Sequence, residues 1–305
     1  MLAAALAFSN TDAHHAWDRA GELVDKCTPR NPGTTASRRA ANFIAEAVRV
    51  AGAKPQLDRF RASTPIGERT FTNVSAEWEV SPGGPWVVVV SHFDTKPGTR
   101  CPGANDGAST TGLLIALSRV LTRSPPPGNV ALMWLDGEES MRAYTDDDGL
   151  WGSRRAAARL AESRRAVKAV ICVDMLGDRD LTISIPRNAT PRLRAVAHLA
   201  SAAAGIECPV LDIHELVKDD HMPFLARGFP AIDLIDFEYG SEPGLNDYWH
   251  TEQDTMDKVS ALSLESAGSL VCEMIEILHS GACERGLRKI EAKDFTETSR
   301  KGKRQ

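Results

Sequence analysis

The run Trp86-Val87-Val88-Val89-Val90 constrains this chain more than any other segment. Four consecutive valines behind a tryptophan are too short a stretch for a normal helix and apolar on both faces, as in a central strand covered on both sides. Similar runs return at 129–136 (NVALMWLD), 168–175 (KAVICVDM) and 230–236 (PAIDLID). Between and around them, helical periodicity predicts helices over 12–26, 35–51, 109–122, 152–164, 190–204 and 260–279, with a capped helix in DDHMPFLARG. Thr35 or Ser37 can cap the second helix. QLDRFRA and RTFTNVSAEWEV, split by the turn-prone TPIGE, predict an antiparallel hairpin, and LTISI a short strand. Alternating strands and helices without a Pro-, Gly- or Ser-rich linker imply a single three-layer αβα domain with a mixed, mainly parallel central sheet.

At 305 residues the chain could hold two domains, but the alternation assigns 12–280 to one domain. LAAALAF at 2–8 is similar to the apolar core of a signal segment, though no basic stretch precedes it, so 1–11 is read as the remnant of one. This favours a secreted or periplasmic protein over a cytoplasmic one. Residues 281–305, with RKIEAK and SRKGKRQ, read as a polar, basic, disordered tail. Lys plus Arg number 36 against 41 Asp plus Glu, a net charge of −5, so no basic excess attracts nucleic acid. No apolar run approaches the roughly 20 residues of a membrane helix, and a monomer is expected. The six cysteines contain no CxxC pair, so a bound metal would rely on histidine and carboxylates.

In an open α/β sheet, ligands bind beyond the carboxyl ends of the strands. Here those ends lead into Ser91-His92-Phe93-Asp94, Asp136-Gly137-Glu138-Glu139, Asp174, and Asp236 with Asn246-Asp247-Tyr248-Trp249-His250-Thr251 shortly after. Gly103-Ala104-Asn105-Asp106-Gly107 opens the helix after the first of these strands. A lone aspartate at a strand end is most often a cap or turn residue, and His92 by itself could be a satisfied core histidine. So many carboxylates on one edge would repel one another unless a cation neutralised them. Imidazole with carboxylates and no thiolate suits catalytic zinc, which keeps one position open. Of the neighbours Glu138 and Glu139, only one can readily face the ion, which leaves the other beside the open position as a proton carrier.

HxD at His92 and Asp94, GANDGA around Asp106, DGEE at 136–139, Asp174 after a strand and WHT at 249–251 resemble the zinc-dependent aminopeptidases of the M28 type and the glutaminyl-peptide cyclotransferases, which share one zinc-exopeptidase fold. The closer likeness is to the cyclases, through FRASTPIGERTFTN, SHFDTKPG, DGLWGSRRAA and DDHMPFLARGFPAIDLI. That resemblance implies an enzyme acting on peptide or protein N-termini, with Asp106, Glu139 and His250 binding one zinc and Glu138 moving protons. It further implies that Asp174 and Asp219 are catalytic pocket carboxylates and that Trp249 and Tyr144 contact substrate. Tyr144 falls where cyclases carry a tryptophan, and Asp233, Asp236 and Ser91 depart from the animal pattern toward a bacterial-type relative. The rival reading is a di-zinc aminopeptidase, whose second metal would use His92, Asp106 and Asp174. A non-catalytic binding module of the same fold is the third, disfavoured because both Glu138 and Glu139 are present.

Overall fold

In the computed structural model, which describes residues 5–280, the valine run becomes the fully buried strand β3 (Trp86–His92). Successive side chains of a strand point to opposite faces. Val87 and Val89 accordingly enter one apolar core with helices α1 (Asn10–Cys27), α2 (Thr35–Val50), α3 (Thr110–Arg123), α5 (Pro191–Ala204) and α7 (Ala261–His279). Val88 and Val90 enter a second core with α4 (Trp151–Ser163) and Phe224 of α6 (His221–Leu225). Each valine so buried contributes roughly 1.5–3 kcal/mol relative to exposure. The three layers follow from a strand with no polar face.

The eight-stranded sheet also contains β1 (Gln56–Thr64), β2 (Gly67–Trp78), β4 (Asn129–Leu135), β5 (Val167–Asp174), β6 (Ile183–Ile185), β7 (Val210–Asp212) and β8 (Ala231–Ile235), in the order β1-β2-β4-β3-β5-β8-β6-β7. The central strands β4, β3, β5 and β8 are parallel, and the pairs β1/β2, β2/β4 and β6/β8 are antiparallel. The sheet is therefore mixed with a parallel centre, which brings four carboxyl ends to one edge. Strand β7 escapes sequence patterning because its three residues lie at the sheet margin, two of them exposed.

Local details differ from expectation in two places. Thr34 caps α2 by accepting from Ser37 N–H at 3.2 Å, while the Ser37 hydroxyl donates to Asp136 at 2.6 Å. The DDHMPFLARG helix is only five residues long, and Asp220 at its N-cap makes no capping bond. Leu6 and Phe8 of the N-terminal apolar run pack into the larger core, Phe8 lying over Gly268 of α7. Residues 1–4, and the basic tail expected at 281–305, lie outside the described residues. Among the described residues no helix is long and apolar enough to cross a membrane.

Helices α1 and α3 approach so closely at Gly112 that a Cβ there would stand 2.2 Å from the Ala16 carbonyl oxygen. Backbone cannot yield as a flexible side chain does. Gly112→Ala is expected to destabilise the fold by about 2 kcal/mol, read as a thermal midpoint lower by several degrees in calorimetry.

Candidate active site and metal centre

Five segments converge beyond the carboxyl ends of β3, β4, β5 and β8. His92 closes β3 and Asp174 closes β5, both buried. Asp106 lies in an irregular turn, Ala104–Ser109, that leads into α3, where Gly107 takes φ 91° against the His92 ring and the Asp94 carbonyl. Only glycine adopts that conformation readily in so tight a space. Glu138 and Glu139 follow β4. His250 comes from the long connection after β8 and has φ 61°, a left-handed conformation costing a non-glycine residue about 1–2 kcal/mol. Trp249 stacks on its ring with centroids 3.9 Å apart.

Asp106, Glu139 and His250 present ligand atoms that lie within 4.8 Å of one another, and so do His92, Asp106 and Asp174. The two groups share Asp106 but differ in how they are satisfied. In the first, His250 Nε2 stands 2.8 Å from Glu139 Oε1 and 3.2 Å from Asp106 Oδ2, yet all three atoms are buried without a hydrogen-bond partner. They converge on a common point instead of bonding to one another. Ligands about 2.0–2.2 Å from a tetrahedral zinc stand roughly 3.3–3.6 Å apart, a few tenths of an ångström wider than the separations here, so this donor set can close around such an ion with a small outward shift. In the second, His92 Nε2 and Asp174 Oδ1 form a hydrogen bond of 3.0 Å, with Asp106 Oδ1 at 3.2 Å from the same nitrogen.

The carboxylates and imidazoles of the cluster perturb one another strongly. Burial, then the charge of Glu139, pushes the Glu138 carboxyl well above its usual range. Burial disfavours the charged form of His250, but the negative charges of Asp106 and Glu139 close to its ring outweigh burial and raise the imidazole to about 9. Burial likewise opposes ionisation of Asp106, and His250 with His92 nonetheless hold it below the usual carboxylate range.

A cavity of about 440 Å³ opens on this cluster, lined by Asp106, Glu138, Glu139, Asp174, Asp219 and His250 on its polar side. Tyr144 and Trp249 line it too, with Leu216, Val217, Ile235 and Phe237 adding apolar wall. All residues singled out for catalysis, substrate contact and metal binding thus meet in one place, except that His92 lies behind the lining. Asp236 does not join them: its carboxylate accepts from Glu238 N–H at 2.8 Å and Thr182 N–H at 3.2 Å and braces the loops around β8. Asp136 is similarly structural, bound to Ser37 and to Thr72 N–H. Behind Asp219, the carboxylate of Asp233 and the thiol of Cys172 form a buried polar group.

Several residues position the site through roles that no local sequence pattern assigns. Asp94 accepts from three successive backbone N–H groups, Gly137 (2.8 Å), Glu138 (3.1 Å) and Glu139 (3.1 Å), and so sets the direction of the glutamate pair. Asp254 does the same for the Asp106 turn, accepting from Asn105 N–H (2.7 Å), Asp106 N–H (3.2 Å) and the Tyr239 hydroxyl (2.7 Å). Arg30, fully buried, donates to the carbonyls of Phe93, Pro102 and Gly103 and ties the exit of β3 to the same turn. The HFDTK stretch carries Lys96, whose ammonium lies 3.4 Å from Glu139. Asp94 belongs to the HxD motif, whereas nothing local marks Asp254 or Arg30, whose partners are distant in the chain.

The family model for Peptidase family M28 matches residues 73–275. The glutaminyl-peptide cyclotransferase-like protein of Bos taurus is 29% identical over 279 residues, covering 80% of this chain and 70% of that one. A glutaminyl cyclase from an Acidobacteriales bacterium superposes with a TM-score of 0.84 at 31% identity, covering 92% of this chain and 97% of its own. A Zn-dependent exopeptidase from Parabacteroides distasonis shares the fold at a TM-score of 0.78 and 22% identity, covering 90% of this chain and 99% of its own. The matched span runs from β2 through every segment that supplies the converging carboxylates and imidazoles to the last third of α7, and the chain is a glutaminyl-cyclase-like member of peptidase family M28.

Proposed function

We propose that the protein is a zinc-dependent glutaminyl-peptide cyclotransferase, converting an N-terminal glutamine to pyroglutamate with release of ammonia. The observation that carries this reading is the unequal satisfaction of the two ligand groups. Asp106, Glu139 and His250 leave three buried donor atoms without partners, while His92 and Asp174 are paired with each other. That favours one zinc, held by the first three residues, over the two of the aminopeptidase reading. The relatives named glutaminyl cyclases, one of them 31% identical over nearly its whole length, support the same choice.

Zinc in this position would polarise the γ-carbonyl of the glutamine side chain. The remaining chemistry belongs to the chain. Glu138, buried beside the ligand set and lining the cavity, takes a proton as the α-amine nitrogen attacks the γ-carbon. It returns that proton to the departing nitrogen, so one C–N bond forms, another breaks and ammonia leaves with no net proton change. Asp174 and Asp219 hold the amine near Glu138. Trp249, Tyr144 and the apolar wall exclude water from a reaction that consumes none.

The test is mass spectrometry of a peptide beginning in glutamine after incubation with the zinc-loaded protein. Loss of ammonia from an otherwise intact peptide is the expected result. A peptide shortened by its first residue would establish aminopeptidase action instead, and an unchanged peptide would overturn the enzymatic reading for this substrate class.

A further inference from the structure

The two carboxylate oxygens of Glu139 have unequal surroundings. Oε1 is buried, lacks a hydrogen-bond partner and faces His250 Nε2 at 2.8 Å. Oε2 accepts the Tyr144 hydroxyl at 2.7 Å and lies 3.4 Å from Lys96 Nζ. Lys96 is itself fixed, donating to Ser140 Oγ at 2.5 Å and to the Ser140 carbonyl at 3.2 Å, with its ammonium 4.3 Å from the centre of the Tyr144 ring. Tyr144 therefore does more than line a wall. Its ring faces the cavity while its hydroxyl reaches the glutamate pair, with Glu138 Oε2 at 3.2 Å.

An ionised carboxylate can bind a metal through one oxygen or through both, and the second mode uses up another coordination position. A phenol donor and an ammonium on the same oxygen compete with the metal for its lone pairs. We infer that Tyr144 and Lys96 are positioning residues that hold Glu139 to ligation through Oε1 alone and so keep a coordination position open for the substrate carbonyl. The inference rests on the zinc reading above. A tyrosine hydroxyl also suits this place in a way that an indole does not. It reaches both Glu139 Oε2 at 2.7 Å and Glu138 Oε2 at 3.2 Å and can accept as well as donate, whereas an indole N–H only donates.

Cobalt(II) is the probe, because its visible absorption weakens as coordination rises from four to five. Wild type, Tyr144→Phe and Lys96→Met are each loaded with one equivalent of cobalt, and glutaminyl-peptide turnover is measured on the zinc forms. The wild type is expected to give the strong four-coordinate absorption and both variants a weaker one, with kcat reduced about 10- to 100-fold and KM little changed. Phenylalanine keeps the ring on the cavity wall, so lost packing alone would leave the cobalt spectrum as in wild type. Variant spectra that match wild type, or a wild-type spectrum already of the weaker kind, would overturn the inference. A wild type that takes up no cobalt would overturn the metal reading itself, which is a separate result.

Discussion

Glu138→Gln is expected to lower kcat for cyclisation by about 1,000-fold while zinc remains bound. Glutamine keeps the shape of the side chain, and the backbone N–H of residue 138 still donates to Asp94, so the loop after β4 stays in place. On the proposed mechanism, what disappears is the ability to take a proton from the attacking amine and return it to the leaving nitrogen. The proposed ligand set is untouched, because Asp106, Glu139 and His250 converge without Glu138. Steady-state kinetics with a glutaminyl peptide, together with elemental analysis of the same sample, separates the two roles. Full activity would remove Glu138 as the proton carrier, and loss of zinc with activity would make it a ligand.

His250→Ala should weaken zinc binding by more than about 100-fold, beyond the 10- to 100-fold typical of losing a residue that merely supports a ligand. His250 supplies the only nitrogen in its group, and its removal leaves the carboxylates of Asp106 and Glu139 facing one another without an imidazole between them. The measurement is metal content after dialysis against a chelator that leaves wild type loaded, with circular dichroism to confirm the fold. Zinc retained at the wild-type level would exclude His250 as a ligand. The same experiment on His92→Ala bears on the metal count, since a single-zinc enzyme keeps its metal when the His92–Asp174 pair is lost.

These residues could be read before any coordinates because β-branched runs locate strands, and strand ends in a parallel sheet locate chemistry. Valines 87 to 90 place His92, NVALMWL places Glu138 and Glu139, and KAVICV places Asp174, each by a pattern confined to a few neighbours in sequence. Residue type adds the rest, since acids and imidazoles at one edge call for a cation. Asp236 shows where this rule misleads. It too follows an apolar strand, but its oxygens are taken by two backbone N–H groups, and no local pattern separates a carboxylate that braces a loop from one that faces a ligand.

The sequence by itself determined the three-layer fold, the edge at which the chemistry gathers and the residue types that meet there, because all of these depend on periodicity and side-chain chemistry within short segments. Tertiary structure alone decided which donor atoms remain without partners, which oxygen of Glu139 is taken by Tyr144 and Lys96, and how Asp94, Asp254 and Arg30 aim the loops. Those outcomes are set by angles and distances of a few tenths of an ångström between segments up to about 150 residues apart, such as Asp254 and Asn105, 149 positions away. Composition and spacing do not encode a hydrogen-bond direction; packing of the whole sheet and its helices does.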